Sequence, residues 1–205
     1  VVNKPSGIAV HGGSGVAYGL IEALRAATGK KYLELIHRID RDTSGLVMIS
    51  KKRSTLKLVQ DLLREHKIQK TYAAIVKGQV SLDQQLIDAP LFRYELANGE
   101  RRVRVSKEGK PSKTEWNVVE RFKAATLVHA SPLSGRTHQI RVHGLSIGHP
   151  LIGDDKYGHS TAYAGPEVRR LCLHAMRLQI PGYPTIEAPM PEDMQQVLNE
   201  LRKQK

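Results

Sequence analysis

The chain has 205 residues, 40% of them apolar and 25% charged, which suits a globular protein with a buried core and argues against a disordered or collagen-like chain. Lysine and arginine number 32 against 20 acidic residues, so the formal net charge is +12 and the pI is near 9.9. The expected partner is a polyanion. Nucleic acid is favoured over a membrane because no segment is apolar over the roughly 20 residues needed to span one.

The opening of the chain predicts a strand, a turn and a helix. The run Val1-Val2-Asn3-Lys4-Pro5 resembles the middle of a strand entering a turn, and because it lacks a methionine we expect further sequence upstream. The glycines at positions 12, 13 and 15 indicate a second turn, since they match neither a dinucleotide-binding nor a P-loop motif. Apolar residues at helical spacing then run from Val16 to Leu24, and Gly29 ends the predicted helix.

The rest of the chain predicts an α+β fold with a mixed, mainly antiparallel sheet flanked by helices, because strands follow one another closely without strict alternation with helices. Further helices are expected over residues 54–66, 136–147 and 191–202. Strands are expected over residues 33–36, 46–49, 71–76, 103–106, 114–120 and 126–131. Residues 93–113 hold seven basic and three acidic side chains with two glycines, which predicts an exposed basic hairpin or loop that contacts phosphate.

The single cysteine, Cys172, lies between two leucines. This apolar setting predicts a buried thiol that forms no disulfide. A reducing, cytoplasmic location is therefore expected.

A crowded charge motif follows the predicted strand of residues 33–36. It reads His37-Arg38-Ile39-Asp40-Arg41-Asp42-Thr43-Ser44-Gly45 and places Asp40 between two arginines. A carboxylate flanked by guanidinium groups stays ionised at neutral pH, where it can act as a nucleophile or base. The alternative for this segment alone is a solvated turn with weak surface ion pairs.

Two more segments combine with this motif. They are Gln69-Lys70-Thr71-Tyr72 and Gly135-Arg136-Thr137-His138-Gln139-Ile140-Arg141-Val142-His143. Together the three segments resemble the motifs of the RluA family of RNA pseudouridine synthases, and the long form of the first motif is most similar to RluC-type members acting on large-subunit ribosomal RNA. The resemblance extends over nearly the whole chain and implies one catalytic domain over residues 1–205, with an S4-like RNA-binding domain upstream.

The resemblance also implies roles for individual residues. Asp40 matches the catalytic aspartate, and Arg38 matches an arginine that fills the space left by a flipped nucleotide. Tyr72 matches the tyrosine that stacks on the target base, while Arg141 matches the basic residue that pairs with the aspartate. The basic residues around the motifs and in residues 93–113 are expected to bind RNA: Arg38, Arg41, Arg101, Arg102, Arg104, Lys107, Arg136 and His138.

The reaction that the resemblance implies is the isomerisation of uridine to pseudouridine. It needs neither oxidation nor a group donor, so no cofactor is expected. A metal site is disfavoured because His138 and His143 are five residues apart, which turns them away from one helical face. A carboxylate hydrolase using Asp40 and Asp42 is a second alternative, although their arginine neighbours oppose the raised pKa that a glycosidase acid needs. A third is a non-catalytic RNA-binding module associated with the ribosome. We expect a monomer.

Overall fold

A computed structural model of the chain describes residues 1–13, 15–159 and 161–204. Four α-helices lie within these ranges: Leu20–Thr28 (α1), Arg53–Arg64 (α2), Gln139–Ser146 (α3) and Glu192–Lys203 (α4). The same described ranges hold twelve strands: Val2–Lys4 (β1), Glu34–Leu35 (β2), Ser44–Val47 (β3), Ile49–Ser50 (β4), Gln69–Lys77 (β5), Gln84–Asp88 (β6), Leu91–Glu95 (β7), Arg101–Val105 (β8), Lys113–Arg121 (β9), Ala125–Pro132 (β10), Leu173–Gln179 (β11) and Ile186–Glu187 (β12).

The chain divides into two compact units. The first consists of Val1–Lys70 and His174–Pro189, and the second of Thr71–Leu173 and Met190–Lys205. Each unit combines strands with helices and has its own apolar core, so each is described by itself below.

The first unit is built on β3, which pairs with a strand on either side. Strand β1 runs antiparallel to β3 with Val2 opposite Val47, and β11 runs parallel to it with Ser44 opposite His174. Strand β12 adds an antiparallel partner to β11. Helix α2 buries Val59 in an apolar cluster whose other fully buried members are Ile36, Leu46, Met48, Ile68, Leu178 and Ala188. The parallel pair brings the last two residues of the charge motif, Ser44 and Gly45, against a strand from much later in the chain.

The second unit holds a run of antiparallel strands in the order β5, β10, β9 and β6. Strand β5 is buried along most of its length, and Tyr72 lies opposite Ala130 of β10. Strands β7 and β8 form a separate two-stranded hairpin. The hairpin packs one face on α3 through Leu91, Val103 and Val142.

Helix α3 is buried on nearly every side, because six of its eight residues are buried. Gly144 allows this burial. A Cβ atom at Gly144 would lie 2.8 Å from the carbonyl oxygen of His149 and 3.3 Å from the indole of Trp116, so a larger residue would push the helix away. The glycine thereby fixes the depth at which α3 carries Arg141.

The predicted α+β class with mainly antiparallel strands is confirmed, with β3 and β11 as a parallel pair. The opening strand, the helix ending at Gly29 and the basic hairpin are also confirmed. The predicted helix over residues 136–147 is shorter than expected, because His138 has a left-handed φ of 52° and α3 begins only after it. The expected strand over residues 46–49 is interrupted at Met48, which separates β3 from β4.

Cys172 is buried as the sequence predicts, with no solvent exposure, and burial raises the pKa of its thiol to about 12. Its backbone is bound to β5 and to Ile152 by hydrogen bonds of 3.1 and 2.9 Å. No helix in the described part of the chain combines the length and apolarity needed to cross a membrane.

Candidate active site

The residues of the first charge motif, 37–43, form a loop of the first unit, here called the aspartate loop. Its main chain is held by the turn at residues 4–7. The Lys4 ammonium, fully buried, donates to the carbonyls of Pro5 at 2.8 Å and Arg41 at 2.9 Å. The Ser6 hydroxyl donates to the Asp42 carbonyl at 2.7 Å. These bonds bind the two residues that follow Asp40, so the backbone beside the carboxylate has little freedom.

The beginning of the aspartate loop is fixed by a neutral histidine. The Met48 backbone N–H donates to Nε2 of His37 at 2.9 Å, which requires that this nitrogen carry a lone pair. Burial, together with the nearby Lys70 charge, lowers the pKa of His37 to about 3. His37 is therefore uncharged at neutral pH, with its proton on Nδ1, and it accepts from the backbone between β3 and β4.

The end of the loop is fixed on β11 by a buried histidine, His174. Nε2 of His174 lies 3.2 Å from the Ala188 carbonyl, which can only accept, so the ring donates there. Its Nδ1 then accepts from the Ser44 hydroxyl at 2.8 Å. Gly45 has a φ of 115°, and a Cβ atom there would lie 2.2 Å from the Ala175 carbonyl oxygen. Only glycine fits this contact. The close approach to β11 fixes the path of the backbone where the chain leaves the loop.

Side chains of the aspartate loop differ in exposure. Asp40 is half-buried, whereas Arg38 and Arg41 are exposed. Nε of Arg41 forms an ion pair with Asp42 at 3.1 Å. Among the residues that the structure describes, the Arg38 guanidinium forms no ion pair. The roles expected for Asp40, Arg38 and Arg41 stay predictions, and the loop geometry is compatible with each of them.

Arg141, in the second unit, is held by a buried carboxylate. Its Nε and one terminal nitrogen each donate to Asp154 at 2.8 Å, and both side chains are almost fully buried, with 6% and 1% of their surface exposed. Burial opposes the charge on Asp154, but the Arg141 hydrogen bonds and the backbone N–H groups of Tyr157 and Lys156 outweigh it and lower the pKa of the carboxyl. The pair is a two-pronged, fully desolvated ion pair.

Tyr157 supports Arg141 from a second direction and connects α3 with the hairpin. The Arg141 guanidinium carbon lies 5.2 Å from the centre of the Tyr157 ring. The Tyr157 hydroxyl accepts from the Val103 backbone N–H at 3.0 Å and lies 2.7 Å from Nδ1 of His138. Arg141, His138 and strand β8 therefore converge on one tyrosine.

The expected pairing of Arg141 with Asp40 joins residues of different units and stays a prediction. The stacking role of Tyr72, which is 9% exposed, also stays a prediction.

The structure separates the basic residues predicted to bind RNA into two groups. Arg102 is held by Glu100 at 3.1 Å and donates to the Lys156 carbonyl at 3.3 Å, so its charge is used inside the protein. Arg101 lies 3.7 Å from Glu95. The remaining basic residues expected to bind RNA in the second unit, apart from the half-buried His138, are exposed: Arg104, Lys107 and Arg136.

Sequence reasoning gave no role to Lys4, Asp154 or Tyr157. Lys4 stands in the opening run of the chain, and a lysine with no solvent exposure is not a pattern that one sequence reveals. Asp154 and Tyr157 stand in a loop after the buried pair Leu151 and Ile152. An acidic residue separated by one glycine from a buried apolar pair is the signal that could have indicated a buried partner for Arg141.

His138 and His143 have separate partners. Nδ1 of His143 accepts from the Thr114 hydroxyl at 2.7 Å while Nε2 donates to the Ala89 carbonyl at 2.9 Å, and burial lowers the pKa of the ring. His138 binds Tyr157 instead. The described residues contain no cluster of three or more histidine, cysteine or carboxylate side chains suited to a metal ion.

The family model described as RNA pseudouridylate synthase matches residues 1–146. The chain therefore belongs to this family and is an RNA pseudouridine synthase, an isomerase. Two solved structures with the same fold are human RNA pseudouridylate synthase domain containing 4, with a TM-score of 0.78, 26% identity and coverage of 98% of this chain and 88% of that one, and domain containing 1, with a TM-score of 0.76, 27% identity and coverage of 94% and 79%.

Curated relatives are more similar in sequence. Ribosomal large subunit pseudouridine synthase C of Pasteurella multocida is 49% identical over 214 residues, covering 100% of this chain and 66% of the relative. The enzyme of the same name from Escherichia coli K12 is 50% identical over 213 residues, covering 98% and 67%. The chain spans about two thirds of the length of these relatives.

Proposed function

We propose that this chain converts specific uridines of large-subunit ribosomal RNA to pseudouridine, with Asp40 as the catalytic carboxylate. The relatives at about 50% identity carry this substrate in their names, and the net charge of +12 suits a polyanion. The observation that carries the role of Asp40 is the fixed main chain beside it. Lys4 and Ser6 bind the carbonyls of the next two residues, which is the rigid support that a catalytic side chain needs.

The reaction breaks the N1–C1′ bond of uridine, turns the base and joins its C5 to C1′. The proton on C5 passes to solvent and N1 gains a proton, so no electron donor or acceptor is required. An ionised Asp40 can attack C1′ to give an ester of the ribose, or it can remove the C2′ proton to give a glycal. Both routes use the same carboxylate and return it unchanged.

Three other side chains have supporting roles in this proposal. A uridine within a stacked RNA is reached only after it is flipped out, at a cost of roughly a few kcal/mol in lost stacking. Arg38, exposed on the aspartate loop, takes the space that the base leaves, and the Tyr72 ring stacks on the flipped base. Arg141, held flat by Asp154 and Tyr157, orients the carboxylate through its planar fork of donors.

The setting of the enzyme follows from the same proposal. It acts without a cofactor, as a monomer in the cytoplasm, during ribosome biogenesis. Arg41, Arg136, His138 and the exposed hairpin residues Arg104 and Lys107 contribute to RNA binding in addition to the groups around the flipped base.

The decisive experiment uses an unmodified transcript of large-subunit ribosomal RNA labelled with tritium at C5 of uridine. Isomerisation releases tritium to water and leaves the RNA chain intact. An RNA-binding module without catalysis would retain the label, and a hydrolase would release free base. Either of the last two results contradicts the proposal.

The Asp40→Asn variant tests the assigned residue. We expect tritium release to fall at least about a thousandfold, because the amide can neither attack C1′ nor accept a proton, while RNA affinity and thermal unfolding stay close to wild type. Asp42→Asn is the matched control, since it removes a neighbouring carboxylate that is paired with Arg41. Equal turnover in the Asp40 variant and the wild type would exclude Asp40 as the catalytic group.

A further inference from the structure

The outer face of the hairpin formed by β7 and β8 carries an unusual arrangement of aromatic and basic side chains. The strand register places Phe92 opposite Arg104 and Tyr94 opposite Arg102, so these side chains lie on one face. The other face carries Leu91 and Val103, which are buried in the core of the second unit. Phe92 and Tyr94 remain half-buried and Arg104 is exposed. This face of the hairpin is therefore available to a partner.

The Arg104 guanidinium lies against both rings. Its central carbon is 5.7 Å from the centre of Phe92 and 5.5 Å from the centre of Tyr94. Both contacts are within the range of cation–π attraction, which does not require the N–H groups of the guanidinium to donate hydrogen bonds to the rings. We call Phe92, Tyr94 and Arg104 the hairpin platform.

The charge of Arg104 is not neutralised by a neighbour. No ion pair or hydrogen bond to its guanidinium occurs among the described residues, whereas Arg102 and Arg101 on the same strand have Glu100 and Glu95 within 4 Å. A guanidinium that is held in place with open donors is suited to a phosphate, which it binds through two parallel hydrogen bonds. Because the rings already restrict the side chain, less conformational entropy is lost when an anion binds.

We propose that the hairpin platform binds a backbone phosphate of the RNA substrate through Arg104, with the two rings holding the guanidinium in its binding orientation. The proposal rests on the proposed function for the nature of the polyanion. The sequence predicts RNA binding for all three arginines of this strand. The proposal assigns it to Arg104, because Arg101 and Arg102 are paired within the hairpin.

The test measures the affinity of the full chain for an unmodified large-subunit ribosomal RNA transcript at several salt concentrations between 50 and 300 mM. We expect Arg104→Ala to weaken binding about tenfold and to reduce the salt slope by about one ion, since one phosphate contact is lost. Arg104→Lys should weaken binding about fourfold with the slope retained, because lysine keeps the charge and loses the planar fork. The RNA affinity of the double variant F92L/Y94L should fall about threefold. The affinity of Arg101→Ala, the control on the same strand, should fall less than twofold.

The platform would be excluded if Arg104→Lys bound as the wild type and Arg104→Ala bound as Arg101→Ala. Thermal unfolding of each variant identifies any loss that comes from misfolding, and Arg104→Lys keeps the test valid if the double variant fails to fold. Tritium release at saturating RNA separates the two proposals. Release by the wild type with full affinity in Arg104→Ala contradicts the platform alone, whereas weakened binding without release in the wild type contradicts the proposed function alone.

Discussion

The aspartate loop and the surroundings of Arg141 hold their side chains by different means. In the first unit, an ammonium and a hydroxyl from residues 4–7 bind backbone carbonyls, so what is fixed is the main chain. In the second unit, a carboxylate and an aromatic ring bind the guanidinium itself, so what is fixed is the side chain. In the proposed function Asp40 reacts through its carboxylate, and support through the main chain leaves the position of that side chain to the site. A positioning arginine can give part of its surface to permanent partners.

The largest effect is expected where the support is a buried ion pair. Asp154→Asn should lower the free energy of unfolding by about 3 kcal/mol, because a buried guanidinium loses its charged partner. Urea unfolding measures the change. The control is Asp155→Asn, whose side chain is 79% exposed and lies 3.9 Å from Arg141, and it should cost less than about 0.5 kcal/mol. Equal losses in the two variants would mean that burial does not set the strength of this support.

A smaller effect is expected for the main-chain support. Lys4→Met should cost about 2 kcal/mol, because the carbonyls of Pro5 and Arg41 lose a charged donor, although the Gly7 N–H still donates to the Arg41 carbonyl at 2.9 Å. Turnover should fall more than RNA affinity does, since the aspartate loop gains freedom. Lys31→Met, at an exposed position, serves as the control for the loss of one positive charge. Wild-type turnover in the Lys4 variant would show that the loop holds its shape without this residue.

The smallest effect concerns the neutral His37. In the folded state its pKa is about 3, whereas an unfolded histidine takes up a proton near pH 6.5. Between these values acid favours the unfolded chain, so stability falls as the pH decreases. His37→Gln keeps an acceptor for the Met48 N–H and removes the titration. Between pH 7 and pH 5 the wild type should lose roughly 1 to 2 kcal/mol more than this variant. Parallel stability curves would contradict the assignment of a neutral ring.

Local signals in the sequence predict much of the fold. Gly29 ends α1 in a left-handed conformation, and apolar or β-branched runs mark β5, β9 and β10. Strand β11 was not predicted, because Leu173–Gln179 carries a histidine and an arginine without clear alternation. Its His174 is buried only because Ser44, 130 positions away in sequence, offers a hydroxyl. Such long-range compensation has no local signature.

In the candidate site, too, local motifs were predictable and long-range partners were not. Asp40, Tyr72 and Arg141 stand in compact motifs that the resemblance identifies, and nothing but the motifs was needed to select them. The partners that hold Arg141 lie 13 and 16 residues further along in a loop, at separations that imply no fixed geometry. The burial of Lys4 likewise depends on the loop at residue 41, which only the folded chain brings close.

The buried thiol described above has a practical consequence for following the RNA-bound state. Cys172 is the only cysteine of the chain, has no exposed surface and has a pKa near 12, so maleimide reagents will leave it unmodified in the folded protein. A cysteine introduced at the exposed tip of the hairpin, for example by Asn98→Cys, would accept a single fluorophore without any background substitution. The native sequence is thus already suited to site-specific labelling and to fluorescence titrations with RNA.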